Sequence, residues 1–325
     1  MSRPTRGRTA PGRLRALDDY VLRKQRGLFE MPGDGAIVDV GVGDGPITTL
    51  ESARAFRAVC PSLRVVGLEQ DSARAQFSHD DARGEVEIVC SGTEWLRSHP
   101  CSARLVRVMN VLRGYRYDDV APFHQHVWEG LEEGGLALEG SCDPNGAIGG
   151  VHVMRRRGRG LEREALFLFT DFSREGICPM QFRDWLPRDL KRSTSRHADG
   201  GHPLISFLSL WQSAWHTLRK EGGLREPNVL FAASLERIRP SLVKAHAVDF
   251  EIALYGGYVC VSPVPTEYLK GRRQRSPFSF GCNFLTRPLF CSIFYQNELI
   301  SSASMLSPTC GSLPIALSKH SAISI

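Results

Sequence analysis

What this 325-residue chain lacks narrows it first. No apolar run approaches the ~18 residues of a membrane-spanning helix, so no membrane contact is expected. The nine cysteines, at 60, 90, 101, 142, 178, 260, 282, 291 and 310, form no CxxC, and no histidines pair at ligand spacing. No metal site of the zinc-finger kind is therefore expected. Scattered through apolar contexts such as RAVC and EIVC, the cysteines fit reduced, buried thiols of a cytoplasmic protein rather than a disulfide framework. Lysine is scarce, six of 41 basic residues, a bias that a GC-rich genome explains without any physical requirement. Acids are absent from MSRPTRGRTAPGRLRA at the start, and the last fifty residues hold one Glu and no Asp. The net charge of +6 is spread thinly, which leaves a nucleic-acid partner possible but not favoured.

What is present is an α/β pattern. With 42% apolar residues, the chain is long enough for one large core plus an appendage. Residues 1–12 read as a flexible basic arm. GRLRALDDYVLRKQRGLFEM then places Leu14, Leu17, Val21 and Leu22 on one helical face. Strand candidates follow at AIVDVG, RVVGLE, VEIVC, RLVRVMNV and GLALEG, separated by stretches long enough for helices, which predicts a doubly wound, mostly parallel sheet. GGVHVMRRRGRGLEREALFLFTDF predicts an antiparallel pair, with Arg155 to Arg157 at its tip, either as solvated charge or as a phosphate-contacting patch. PLISFLSLWQSAWHTLRK predicts a helix burying Leu204, Phe207, Leu208, Trp211 and Trp215. The catalytic-type domain is expected over 13–222, a C-terminal extension over 223–275, and an atypical, disordered tail over 276–325.

The segment IVDVGVGDG, followed by PITTLESARAF, is a strand, a glycine turn and a helix. Asp39 closes the strand, and Gly41, Gly43 and Gly45 allow a tight bend and close ligand approach. Pro46 and the pair Thr48 and Glu51, spaced as a capping box, announce the helix. A dinucleotide fingerprint would need its third glycine where Pro46 stands. The acid before the first glycine instead suits a ligand with a cationic amino group and no phosphate, as in S-adenosyl-L-methionine. Glu69, ending the next strand, is placed to accept hydrogen bonds from ribose hydroxyls.

From about Arg13 to Lys220 these segments resemble the class I S-adenosylmethionine-dependent methyltransferases, and more narrowly a group of bacterial methyltransferase-like proteins with VDVGVGDGPITTLE, VVGLEQD, VMNVLRGY and GGLALEGSCD segments. The resemblance implies a Rossmann-like methyltransferase fold, a seven-stranded sheet with an antiparallel last strand. It further implies that Asp39, Gly41 and Gly43 line the methionine end of the cofactor, Glu69 the ribose, residues around Ser91 to Glu94 the adenine, and Asn110 the floor beside the methyl group. The Pro-Pro-aromatic run of amino-methylating DNA enzymes does not follow Asn110, which argues against a base amine as acceptor.

The expected function is methyl transfer to an acceptor the sequence does not identify. The alternatives are an RNA methyltransferase using the Arg-rich segments and a non-catalytic S-adenosylmethionine-binding protein. Glu139, Asp143, Tyr115, His124 and His126 are candidate general bases, each with a structural explanation as good, so no catalytic residue is assigned.

Overall fold

The computed structural model describes residues 9–170, 177–196, 202–222, 226–246, 249–253 and 258–262. Helices α1 (Arg15–Lys24) and α2 (Gly27–Glu30) precede β1 (Ala36–Val40), α3 (Ile47–Arg57), β2 (Val65–Glu69), α4 (Ser72–Ala82), β3 (Glu87–Cys90), α5 (Glu94–Ser98) and β4 (Ala103–Met109). Then come α6 (Val120–Gly130), β5 (Leu131–Cys142), β6 (Ile148–Arg157), β7 (Gly160–Thr170), α7 (Arg188–Arg196), α8 (Pro203–Glu221), α9 (Pro227–His246), β8 (Asp249–Ala253) and β9 (Tyr258–Ser262). The strand order is β3-β2-β1-β4-β5-β6-β7-β9-β8. Strands β1 to β5 run parallel, and every pairing from β5 through β6, β7 and β9 to β8 is antiparallel. The expected doubly wound mixed sheet is thus present. Its reversal occurs at β6, and the β9-β8 pair extends the sheet beyond seven strands.

Strands β1, β2 and β4 are buried at every position, as sheets covered on both faces require. One face meets α1, α2 and α3 through Leu17, Val21, Leu28 and Phe56, packed on Ile37, Leu105, Leu138 and Phe167. The opposite face meets α5 and α6 through Trp95, Leu96, Phe123 and Val127, on Val38, Val106 and Ala137. Further along that face, Leu166 and Leu168 of β7 carry α8 and α9. The five expected apolar residues of α8 are buried, with Trp211 stacked 5.5 Å from Phe182 and edge-on to Phe231 of α9. His202 caps α8, Pro203 opens it, and Gly222 ends it in the left-handed conformation.

Some local expectations change. Helix α3 begins at Ile47 with Pro46 as its cap residue, so Thr48 and Glu51 form no capping box. Glu51 instead accepts the backbone N–H of Gly12 at 2.9 and 3.0 Å, tying the described end of the basic arm to α3. Helix α9 packs with α8, and β8 and β9 extend the sheet, so the segment expected as an extension supplies these three elements. Residues 1–8 and the whole 276–325 tail lie outside the described residues. Cys142 is buried, whereas Cys90, which ends edge strand β3, and Cys101, in a turn, are exposed.

Candidate functional site

The order of the strands reverses between β1 and β4, and at such a switch point the carboxyl ends of the strands leave a crevice. A cavity of about 820 Å³ lies there, floored by Val40 to Gly43 and walled by Glu69, Ser91 and Asn110. Gly41 and Gly43 hold φ of 82° and 83°, a region costly for residues with a Cβ. A Cβ on Gly41 would stand 2.6 Å from Val111 Cγ2, so only glycine fits between the turn and the loop after β4. Gly43 donates its N–H to Glu69 Oε2 at 2.8 Å, and Asp71 donates its N–H to Glu69 Oε1 at 3.0 Å. The carboxylate ending β2 thus fixes the glycine turn, and the residue lines the cavity.

Asp39 lines the same floor but is bound from behind. Arg107 of β4 donates from Nε to its Oδ1 at 3.0 Å and from Nη2 to its Oδ2 at 2.7 Å, and Thr49 Oγ1 donates to Oδ2 at 2.6 Å. Arg107 Nη1 also donates to Asp18 Oδ1 of α1 at 3.0 Å, while Ser52 donates to Asp18 Oδ2. The three charged side chains are 3%, 9% and 9% exposed, so this is a buried node carrying two carboxylates on one guanidinium. Burial pushes the Asp18 carboxyl up to about 6 against the opposing pull of Arg107. Burial also opposes the charge of Arg107, yet Asp39 and Asp18 outweigh it and hold the guanidinium firmly protonated. Asp39 is therefore not a free carboxylate awaiting an ammonium. Its side chain locks β1 to β4, α1 and α3 under the turn. Neither Arg107 nor Asp18 stood out in the sequence, where RLVRVMNV reads as an apolar strand; the available signal was a charge inside a strand buried on both faces.

Asn110 follows β4 at φ 62°. Its Oδ1 accepts the N–H of Cys142 at 3.0 Å, joining the ends of β4 and β5. Ser91 to Thr93 line the cavity, and Glu94 turns back to accept the N–H of Gly92 at 2.8 Å. The opposite wall is aromatic, with Tyr115 edge-on to Phe123 at 5.6 Å and Arg113 lying 4.6 Å over the ring of Trp185. Burial lowers the pKa of Arg113 and raises that of Tyr115.

The other candidate bases separate. Asp143 accepts the N–H groups of Asn145, Ala147 and Ile148 and so builds the turn after β5. His126 Nδ1 contacts Thr93 Oγ1 at 3.0 Å. Glu139 and His124 do not line the cavity; on the face of β5 that carries α6 they lie 3.9 Å apart, and Glu139 meets two residues the sequence did not flag, His152 of β6 and Asp189 of α7. Burial and the charge of Asp189 push the Glu139 carboxyl up to about 8, and burial followed by Arg163 brings His124 down to about 4. Burial works against ionised Asp189, but His152 and Arg163 hold its carboxyl well below the usual carboxylate range.

The Arg155 to Arg157 tip is satisfied internally. Arg155 donates to Glu164 at 2.6 Å, Arg156 lies over Trp128 and donates to the carbonyl of Leu131, and Arg157 pairs with Glu162 and Glu164. Among the described residues, no helix is long and apolar enough to cross a membrane.

No protein-family model matches the chain, and no curated protein does. Among solved structures it is similar to a type II methyltransferase of unproven assignment from Anaeromyxobacter dehalogenans, at 20% identity over 41% of this chain and 48% of the other, with a TM-score of 0.30. It is also similar to an S-adenosylmethionine-dependent methyltransferase from Leishmania major, at 18% identity over 38% and 50% of the two chains, with a TM-score of 0.29. The chain spans about half or less of the length of these two structures, so the likeness is confined to part of each molecule.

Proposed function

We propose that the chain is an S-adenosyl-L-methionine-dependent methyltransferase. One observation carries this reading: at the sheet's switch point, a glycine turn that admits no Cβ is pinned by Glu69 beside a cavity of about 820 Å³, within the size range of small-molecule sites. Gly41 and Gly43 give the methionine end close access to backbone, and Glu69 faces the ribose hydroxyls with its remaining lone pairs. Ser91 to Thr93 border the adenine, and Asn110 holds the floor beside the methyl group. Asp39 acts from beneath. Its node with Asp18 and Arg107 sums to a single negative charge, a field that favours a cationic ligand above it.

When bound, the cofactor supplies a methyl group on a sulfonium already primed to leave. The chain's share is to bind, orient in line and exclude water. The wall of Tyr115, Phe123 and Trp185 does the excluding and receives the acceptor. Tyr115 has its hydroxyl pKa raised by burial, so it is a hydrogen-bond donor at neutral pH rather than a base. The internally paired Arg155 to Arg157 offers little to a phosphate backbone, which weighs against an RNA acceptor.

Calorimetric titration of the full chain with S-adenosylhomocysteine and, separately, with NADH tests the reading. Saturable binding of the first and none of the second is expected. Failure to bind S-adenosylhomocysteine would remove the proposal.

A further inference from the structure

On the sheet face that carries α6, outside the lining of the large cavity, four ligand-type side chains from four elements lie near one another. Glu139 of β5 and His152 of β6 are direct cross-strand partners. Asp189, in the first turn of α7, brings Oδ1 to 2.9 Å from His152 Nε2. One potential ligand atom from each of these three lies within 4.8 Å of the other two. His124 of α6 adds Nε2 at 3.9 Å from Glu139 Oε2.

The cluster is buried, and part of its hydrogen-bonding demand is unmet. His152 is wholly buried and Glu139 is 3% exposed. Among the described residues no hydrogen bond reaches the Glu139 carboxylate, and His124 Nε2 stands 3.9 Å from its Oε2. His124 Nε2 is itself shielded from solvent and without a hydrogen bond. A buried carboxylate and a buried imidazole nitrogen left facing each other across 3.9 Å are each costly. Both would be satisfied by a cation between them.

We infer that Glu139, His152 and Asp189, with His124 as the fourth ligand, hold a divalent transition-metal ion of the zinc type. Two imidazoles and two carboxylates form a nitrogen and oxygen donor set that suits zinc and its first-row neighbours, whereas magnesium and calcium prefer oxygen alone. With bonds of about 2.1 Å, ligand atoms of a tetrahedral site stand about 3.4 Å apart, so the three ligand atoms within 4.8 Å of one another must draw together, and His124, 3.9 Å from Glu139 and outside that group, must swing in to complete the site. Arg163 donates to Asp189 Oδ2 at 2.8 Å, leaving Oδ1 turned toward the imidazole and orienting the carboxylate as outer-shell partners do. A cavity of about 200 Å³, lined by Tyr117, His124, Arg163 and Asp189, reaches the cluster and gives the ion a path. No CxxC or paired-histidine spacing announces such a site, because each ligand comes from a different element. Its structural effect would be to fasten α6 and α7 to the sheet.

The test is titration of the full chain, stripped with a chelator, with Co²⁺ followed by visible absorption and with Zn²⁺ in competition. One equivalent should bind, with d–d bands of a four- or five-coordinate site and no thiolate charge-transfer band. Glu139→Gln and His124→Asn, checked for an unchanged far-ultraviolet spectrum, should each weaken binding at least about 100-fold, since even outer-shell changes cost 10- to 100-fold. Replacing Cys90 and Cys101 by serine should leave affinity unchanged. The inference is overturned if the wild-type chain shows no saturable binding, if both ligand variants bind as wild type, or if binding follows the cysteines.

Discussion

Replacing Arg107 by leucine should destabilise the fold by about 4 kcal/mol, within the range for removing one partner of a buried ion pair. The figure follows from what the guanidinium leaves behind. Asp39 loses bonds of 3.0 and 2.7 Å and Asp18 loses one of 3.0 Å, while only Thr49 and Ser52 remain to solvate two buried carboxylates. Urea unfolding followed by circular dichroism measures the loss. Adding Asp39→Asn and Asp18→Asn to Arg107→Leu should recover most of it, because the stranded charge rather than the lost attraction dominates. The two acids should differ. One guanidinium cannot neutralise both, and burial has already raised Asp18 to about 6 from 3.8. A carboxyl whose folded pKa is raised contributes stability that is complete below the unfolded pKa and lost as pH rises through the folded one. Between pH 4 and 7 the wild type should therefore lose up to about 3 kcal/mol relative to Asp18→Asn, at 1.36 kcal/mol per unit. A cost below about 1 kcal/mol for Arg107→Leu would refute the node, since buried pairs do not break so cheaply. A flat pH difference between wild type and Asp18→Asn would refute the unequal sharing.

Three further outcomes are expected. Glu69→Gln should weaken S-adenosylhomocysteine binding by about 1 to 3 kcal/mol in calorimetry, the scale of hydrogen bonds to charged groups; unchanged affinity would take Glu69 away from the ribose. Gly41→Ala places a Cβ 2.6 Å from Val111 Cγ2 at φ 82° and should lower thermal stability by about 1 to 3 kcal/mol, whereas Gly41→Ala paired with Val111→Ala should recover only the steric part. Ser234→Ala leaves the buried indole N–H of Trp211 without its 2.9 Å partner and should cost about 1 to 3 kcal/mol by chemical denaturation; a null result would place water at that nitrogen.

Legibility in the sequence followed from which signals are local. The glycine turn, the leading helix with Leu14, Leu17 and Val21, and the aromatic face of α8 were readable because periodicity and turn chemistry lie within one segment. The connection after β7 was harder, since nothing local tells a strand that it will pair with β7 from about ninety residues away. Asp39 lines the cavity, and its carboxylate is engaged by Arg107, a partner 68 positions distant that only the tertiary fold reveals. His152 and Asp189 escaped notice for the same reason. Each is unremarkable in its own segment and becomes informative only beside Glu139.

Strands covered on both faces accept charge only where the neighbouring elements meet it, and this sheet shows two degrees of completion. Arg104 is met by the carbonyls of Leu28 and Gly33, and Arg107 by two carboxylates and a hydroxyl. Arg107 is thus met by the chain's own atoms, whereas Arg104 keeps its buried Nε without a hydrogen bond. Glu139 sits equally deep, next to Gly140 at the end of β5, yet its partners are another acid held close by, two imidazoles and no hydrogen bond. Glu139 lacks such pairing, and a buried polar group left without a hydrogen bond costs about 1 to 3 kcal/mol. The contrast with Arg107, one strand away and fully paired, makes packing alone an inadequate reason for the residue to be there. It places the unexplained chemistry of this fold beside β5 and β6, on the sheet face that carries α6.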